Sequence, residues 1–599
     1  MPLTSLTNDT LFSEDVSFAS FKNTSISAFF KKLFRQRPWI EPAMPLVGRI
    51  DLTPFSQDPS GDDDGLVAEI SASVFIGHKL FTLSSGGSNL VSLTDWSNSA
   101  DPVMADQLDF AGFETTSIAA FGNLFAVAAT PDGYGDSGAD GNTDPTPESL
   151  VRFFSINPRG KLKELGEVST GFLSDGTAFS RNGRQLYVAN EGEPNADYSV
   201  DPVGSVSIIE LSGKGRNKNF EEIEIALPDL NSDVELLGSG IRFGGNQPGV
   251  TDSFGQDAEP EYVAAAGSYL FVTLQETNTV ARIDLDTNKV DAYIGLGWVN
   301  YSKVSVDLDD RDDGFEPKTG QLVVGLRQPD GLAAWEAGRS VYFATANEGD
   351  GREYGDFEDA RRNSSLGYVK VPERLDLIVD GNNRDRALVL SNALGDADAS
   401  NDFSFEDTSG APPSGTPVSF GSRSLSIYDG ITGQLLWDSW MTDSINGTSY
   451  NTSLQNIAQF AGIYDDGRSD AKGVEPESVS VVNYRGSRYL VGSLERTDAG
   501  DAPDEITQGG LLVVYDVSET SDVDFVTYQQ VSRSPEGLEV IEARESPTGR
   551  LLLGVSSEFN SNSVELLDFG ALLNNGNGVD YLNSDLANAN LYQTLDPII

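Results

Sequence analysis

From about Leu66 onward the chain is a succession of short apolar runs broken by polar turns, and in many runs every second residue is polar. A period of two is the mark of a strand with one buried face. The runs come in pairs: GLVAEISASVFIGHKLFTLSSGG and TTSIAAFGNLFAVAATPD each read as strand, Gly- or Asn-containing turn and strand. Such units start near Leu66, Thr115, Phe172, Asp257, Gln328, Gly473 and Ser534, and each supplies three or four strands. An earlier strand is expected in LVGRIDLTPF, and a long insertion interrupts the fifth unit. The repeat predicts an all-β fold, a β-propeller of seven blades with loop insertions and a short N-terminal arm. A parallel β-helix is the competing architecture, but its shorter repeats would not carry a hairpin pair in each unit. The expected division is an arm over 1–44, the propeller over 45–570 and a tail over 571–599.

Polar positions inside the repeat are not random. In five units an acid opens the first strand and a Glu closes the second: Asp175 with Glu191, Glu261 with Glu276, Asp330 with Glu348, Glu477 with Glu495, and Glu536 with Glu558. Because the chain reverses at the turn, each pair should meet at one end of its hairpin, and all of them at one mouth of the propeller channel. The first unit has Glu69 at the entry but only SSGGS at the exit, and the second offers Ser117 and Thr130. The acid ring is therefore expected to be open on that side. Crowded carboxylates repel one another unless a cation compensates, and Ca²⁺ is the divalent metal that takes many oxygens with loose geometry. The alternative is that each acid caps backbone N–H groups of its own turn.

Charge sharpens this picture. The 92 acidic and 40 basic residues among 599 leave a formal net charge of −52. Nucleic acids and anionic membranes are disfavoured partners, and cations are natural ones. With no Cys and a single His, thiolate sites, His-rich metal centres and a Ser-His-Asp triad are excluded. His78 lies in the turn FIGHKLF, at the end expected to be opposite the acids. No apolar run approaches the ~18 residues of a transmembrane segment. The first residues lack the pattern of a secretory leader, while SAFFKKLFRQRPWI reads as a basic amphipathic stretch, a docking helix or a flanking arm.

A second metal candidate is DADASNDFSFED, where Asp396, Asp398, Asp402 and Asp407 lie in a spacing close to the Ca²⁺-loop template. Asn401 replaces the usual Gly, Asp407 replaces the usual Glu, and a plain acidic loop is the other reading. Arg352 and Arg496 follow exit glutamates, Arg423 opens a strand of the fifth unit and Arg311 lies in an acidic insertion; an Arg beside a metal cluster can bind a substrate phosphate bidentately or tie the acid ring together.

Several long motifs, among them ANEGEPNADYSVDPVGSVSIIEL, LQETNTVARIDL, TANEGDGREYGDF and DDGRSDAKGVEPESV, resemble the choice-of-anchor I family. That family is related to mesenchyme-specific cell surface glycoproteins and to cyanobacterial proteins of alkaline-phosphatase type. The resemblance implies an extracellular or cell-surface propeller with two open functions. One is a metal-dependent phosphoesterase, with Glu348 and Asp330 in the catalytic centre and Arg352 and Arg423 on the phosphoester substrate. The other is a non-catalytic calcium-binding protein acting on cell-envelope components or in adhesion.

Overall fold

In the computed structural model the described residues are 44–53, 67–132, 148–195, 198, 200–214, 217–230, 233–243, 253–311, 314–354, 357–380, 383–389, 415–440, 443–445, 448–450, 453–497, 509–558 and 561–574. The Asp396–Asp407 candidate, the basic amphipathic stretch and the tail beyond Asn574 lie outside them.

Among the described residues, seven sheets share one plan. Each begins with a strand at its inner edge and runs outward by antiparallel neighbours in chain order, except that the fourth sheet adds Glu235–Ser239 in parallel at its outer edge and the last adds Leu46–Asp51. The seven first strands are Ile70–Ile76, Phe113–Phe121, Ser174–Phe179, Pro260–Ala266, Leu332–Ala337, Pro476–Tyr484 and Pro535–Ile541. Each packs beside the next, and the last packs beside the first, so they enclose a central axis. This is the geometry of a β-propeller, as the repeat predicted. The second strands are sandwiched between neighbouring sheets and are apolar on both faces: in Leu124–Pro131 every residue but the last is buried.

A separate apolar cluster fills each gap between neighbouring sheets. Phe81, Leu93, Phe125 and Val127 join the first two sheets, and Tyr187, Val206, Leu270 and Tyr293 join the third and fourth. The final gap is closed by both ends of the ring. Leu46–Asp51 pairs antiparallel with Ser563–Leu567 as the outer strand of the last sheet. Its Ile50 packs with Leu552 and Val564 against Leu80 and Trp96 of the first sheet. The strand expected in LVGRIDLTPF is thus the clasp of the ring.

Insertions around the fifth sheet build an additional sheet from Trp298–Asn300, Val324–Leu326, Val418–Ser419, Asp376–Asp380 and Ala360–Arg362. Asn363, which sits in an Asn-Ser-Ser sequon, is buried there, its Nδ2 donating to three carbonyls. Helices are short; Leu454–Ala461 is N-capped by Ser453.

Candidate carboxylate ring at the channel mouth

The entry acids sit in a repeated irregularity. Register slips between Ser174 and Thr177, Pro260 and Val263, Pro476 and Val479, and Pro535 and Leu538, and the bulges hold Asp175, Glu261, Glu477 and Glu536. A bulge bends the strand and re-aims its side chains. Two residues before each entry acid stands a non-Gly residue in the left-handed region: Leu173, Glu259, Gln328, Glu475 and Ser534 have φ between 42° and 49°. Such backbone costs on the order of 1–3 kcal/mol per residue and persists where its surroundings impose it. Here the exit residue imposes it. The N–H groups of Glu191, Glu495 and Glu558 donate to the carbonyls of Leu173, Glu475 and Ser534, locking exit acid to entry acid.

After the entry acid, the next residue is Gly176, Gly331 or Gly537 in three sheets. A Cβ at these positions would lie 2.4, 2.2 and 2.7 Å from the carbonyl oxygens of Glu261, Glu477 and Glu69 in the following sheet. These glycines let the bulges approach one another and draw the acids together. At the same position the fourth sheet carries Tyr262. Burial raises its phenol well above the usual range, as do Asp330, Asp175, Glu69 and Glu536 from four other sheets. The Tyr262 side chain, packed against the apolar cluster between the fourth and fifth sheets, is thus within electrostatic reach of the acids.

All five predicted pairs are brought together. Within each pair one carboxyl raises the pKa of the other, and burial is the larger cause throughout. Contacts extend between sheets as well, since Asp330 meets Glu477, and Glu495 meets Glu536, at hydrogen-bonding range. Glu69 joins from the first sheet beside Glu558 and Asp175 and is raised well above its ordinary value. Burial pushes Asp175 up to about 7, Glu276 up to about 8 and Glu558 up to about 7. Glu261 Oε2, Glu276 Oε2 and Glu477 Oε1 are buried with no hydrogen-bond donor. Buried polar atoms rarely stay unpartnered, so these oxygens suit a metal ion.

One pairing shifts by a residue. Leu274 faces Pro260 across the fourth hairpin, which makes Gln275 the counterpart of the exit glutamates. Its Nε2 donates to Glu348 Oε2 at 3.0 Å, linking the fourth and fifth sheets, while Glu276 follows one position on. On the open side, Thr116 is the bulged residue rather than Ser117, and its Oγ1 donates to the Ser174 carbonyl at 2.6 Å. In the first sheet, a Cβ on Gly86 would sit 2.4 Å from Glu69 Cβ, which accounts for glycine at that exit. The expected gap is a neutral, hydroxyl-lined sector.

Positive charge is distributed unevenly. Lys472 pairs with Glu348 and, at 3.4 Å, with Asp350. Arg468 pairs with Glu475, and Arg496 lies 2.9 Å from Glu495 and 3.6 Å from Glu475. Among the described residues no Lys or Arg forms an ion pair with Glu69, Asp175, Glu191, Glu261, Asp330, Glu536 or Glu558. The two arginines assigned to phosphate have other work. Arg423 is fully buried and donates to the carbonyls of Asp307, Ser469 and Ala471. Arg352 is buried against Asp257 and lowers the pKa of Glu276. Sequence reasoning missed Lys472, Glu475 and Tyr262. Only the neighbourhood of the EPES motif hinted at the first two, and nothing marked the third.

His78 is exposed in the turn joining Ile70–Ile76 to Lys79–Ser85. That turn is at the other end of the hairpin from Glu69, as expected. No helix among the described residues is long and apolar enough to cross a membrane, which leaves strand-crossing unaddressed.

The choice-of-anchor I domain matches residues 69–520, so the chain belongs to the choice-of-anchor I family. Membership supports a surface-associated propeller. No curated protein matches significantly. Among solved structures, hydrazine synthase of Kuenenia stuttgartiensis is similar at 11% identity and a TM-score of 0.39, covering 86% of this chain and 99% of that one. Saccharomyces cerevisiae Sqt1 is similar at 10% identity and 0.36, covering 88% and 99%. The β-propeller domain of Myceliophteria thermophila Cps50 (Swd1) is similar at 9% identity and 0.36, covering 84% and 97%. These likenesses are too distant to carry function.

Proposed function

We propose that this choice-of-anchor I protein is a surface-associated propeller that holds divalent cations, Ca²⁺ by ligand chemistry, in its carboxylate ring. The observation that carries the reading is carboxyl-to-carboxyl contact, Asp330 to Glu477 and Glu495 to Glu536, beside Glu69, Asp175, Glu261 and Glu536, which form no ion pair with Lys or Arg among the described residues. Such contacts require shared protons or a cation, and at neutral pH a hard cation with oxygen ligands is the stronger compensation. Glu69, Asp175, Glu191, Glu261, Glu276, Asp330, Glu536 and Glu558 form the arc that would ligate it. In this reading the protein acts at the cell surface or in the envelope without catalysis. Calorimetric titration of the metal-stripped protein with Ca²⁺ tests it: saturable binding that weakens in Glu261→Gln is expected, and absence of binding refutes it.

A phosphoesterase reading gains support from one feature. Glu558, pushed up to about 7, lies beside Arg496, which offers a general acid or base near neutrality next to an anion contact. Arg496 would replace Arg352 and Arg423 in that role. Ca²⁺-dependent hydrolysis of a generic phosphomonoester or diester, lost in Glu348→Gln, would support it. Inertness of the Ca²⁺-loaded protein across a substrate panel would end it.

A further inference from the structure

One lobe of the ring has the oxygens of a metal site but contains an ammonium group. Single carboxylate oxygens of Glu348, Glu475 and Glu477 lie within 4.8 Å of one another, close enough to share an ion. Glu477 is 7% exposed, and its Oε1 has no hydrogen-bond donor. Yet Lys472 reaches Glu348 Oε1 from the loop that precedes Glu475. That loop is fixed from below: Arg423 Nη2 donates to the carbonyls of Ser469 and Ala471, each at 2.8 Å. Gly473 takes φ 80° against the Arg423 side chain, where a Cβ would lie 2.9 Å from Cδ. The backbone is thus shaped to deliver Lys472, and Gln275 holds Glu348 from the other side.

We propose that Lys472 is a tethered counter-cation that fills the Glu348–Glu475–Glu477 lobe and keeps divalent ions out of it. The proposal rests on reading the ring as a cation site, and it divides that ring in two. In the lobe, Glu348, Asp350, Glu475, Glu477 and Glu495 face Lys472, Arg468 and Arg496, so three cations offset most of the charge of five acids. The arc of Glu69, Asp175 and Glu261 forms no ion pair with Lys or Arg among the described residues and is left for exchangeable ions. A lysine is suited to the task, being a compact point charge on a long stem. It compensates the acids permanently, whatever the Ca²⁺ concentration outside.

The test compares Ca²⁺ stoichiometry of the full chain by calorimetry in wild type, Lys472→Met and Lys472→Arg. Lys472→Met is expected to bind one additional Ca²⁺, and Lys472→Arg to bind no more than wild type. Unchanged or reduced stoichiometry in a folded Lys472→Met protein overturns the proposal. Should that variant fail to fold, a crystal structure of the wild type soaked in Ca²⁺ decides. The ammonium alone in the lobe supports the proposal, and a divalent ion bound there refutes it. A wild type that binds no Ca²⁺ would sink the ring reading, while one ion gained in Lys472→Met would still uphold the role of Lys472.

Discussion

Raising the pH of the metal-free protein should destabilise it in a window where ordinary acidic proteins are indifferent. The ring carboxyls have folded pKa values above their unfolded ones, so between about pH 4.5 and pH 8 the folded state binds more protons than the unfolded chain. The stability they contribute is fully present below about pH 4.5 and is lost as pH rises through the folded values. Glu558 alone, moved from 4.5 to about 7, accounts for roughly 3 kcal/mol at about 1.4 kcal/mol per unit. An unfolding entropy of roughly 2 cal/mol/K per residue over about 500 residues gives about 1 kcal/mol per degree, so that group corresponds to about 3 °C in Tm. Its neighbours are coupled, and their contributions add to this without summing independently. Ca²⁺ substitutes for the protons, so its stabilisation should grow with pH, reaching about 2.7 kcal/mol at a free concentration near 100 Kd. Scanning calorimetry at about pH 5 and pH 8, with chelator and with excess Ca²⁺, reads the effect. The surface carboxylates behind the net charge of −52 are already ionised at pH 5. A Tm in chelator that stays level or rises over this range would refute the reasoning, as would a Ca²⁺ shift equal at both pH values.

Replacing one member of the ring by its neutral isostere should separate stability from binding: Glu261→Gln is expected to raise the chelated Tm at pH 8 by a few degrees while weakening Ca²⁺ at least tenfold, both read by calorimetry. Gly331→Ala places a methyl 2.2 Å from the Glu477 carbonyl oxygen. It should cost on the order of 1–3 kcal/mol, seen in urea unfolding. Arg327→Met strands the buried Asp438, which Arg327 Nε holds at 2.9 Å, and should lose about 3–5 kcal/mol in the same assay. Expression in a glycosylating host should leave Asn363 unmodified by mass spectrometry, because its amide is buried and bonded to three carbonyls.

The hairpin repeat was legible because strand alternation and turn residues are local properties, and the acid pairs because a hairpin returns its end to its beginning. Glu276 was taken for the exit acid because nothing in the side chains of LQETN marks Leu274 as the residue that faces Pro260. The left-handed backbone of Leu173, Gln328 and Ser534 was equally invisible, since none of these residues favours that region. Lys472 could not be found either. Its position depends on Arg423, some fifty residues earlier, holding a loop by carbonyl bonds that sequence does not encode. The additional sheet escaped notice because it is assembled from strands of two to five residues spread from Trp298 to Ser419.

The clasp that joins Leu46–Asp51 to Ser563–Leu567 gives assembly a direction in time. Leu46 and Leu567 are partners 521 positions apart, and closing such a loop in a flexible chain costs roughly 5–6 kcal/mol in its length-dependent part. A nascent chain emerging from the ribosome therefore carries its first strand without a mate until nearly the whole ring has been made. Until then, Ser563–Leu567 is an open edge of the last sheet, and Leu80 and Trp96 of the first sheet lack their cover. A neighbouring copy's Leu46–Asp51 strand can pair there as well as the chain's own. A pause late in synthesis is therefore expected to yield linked copies beside closed rings, read as dimers by size-exclusion chromatography.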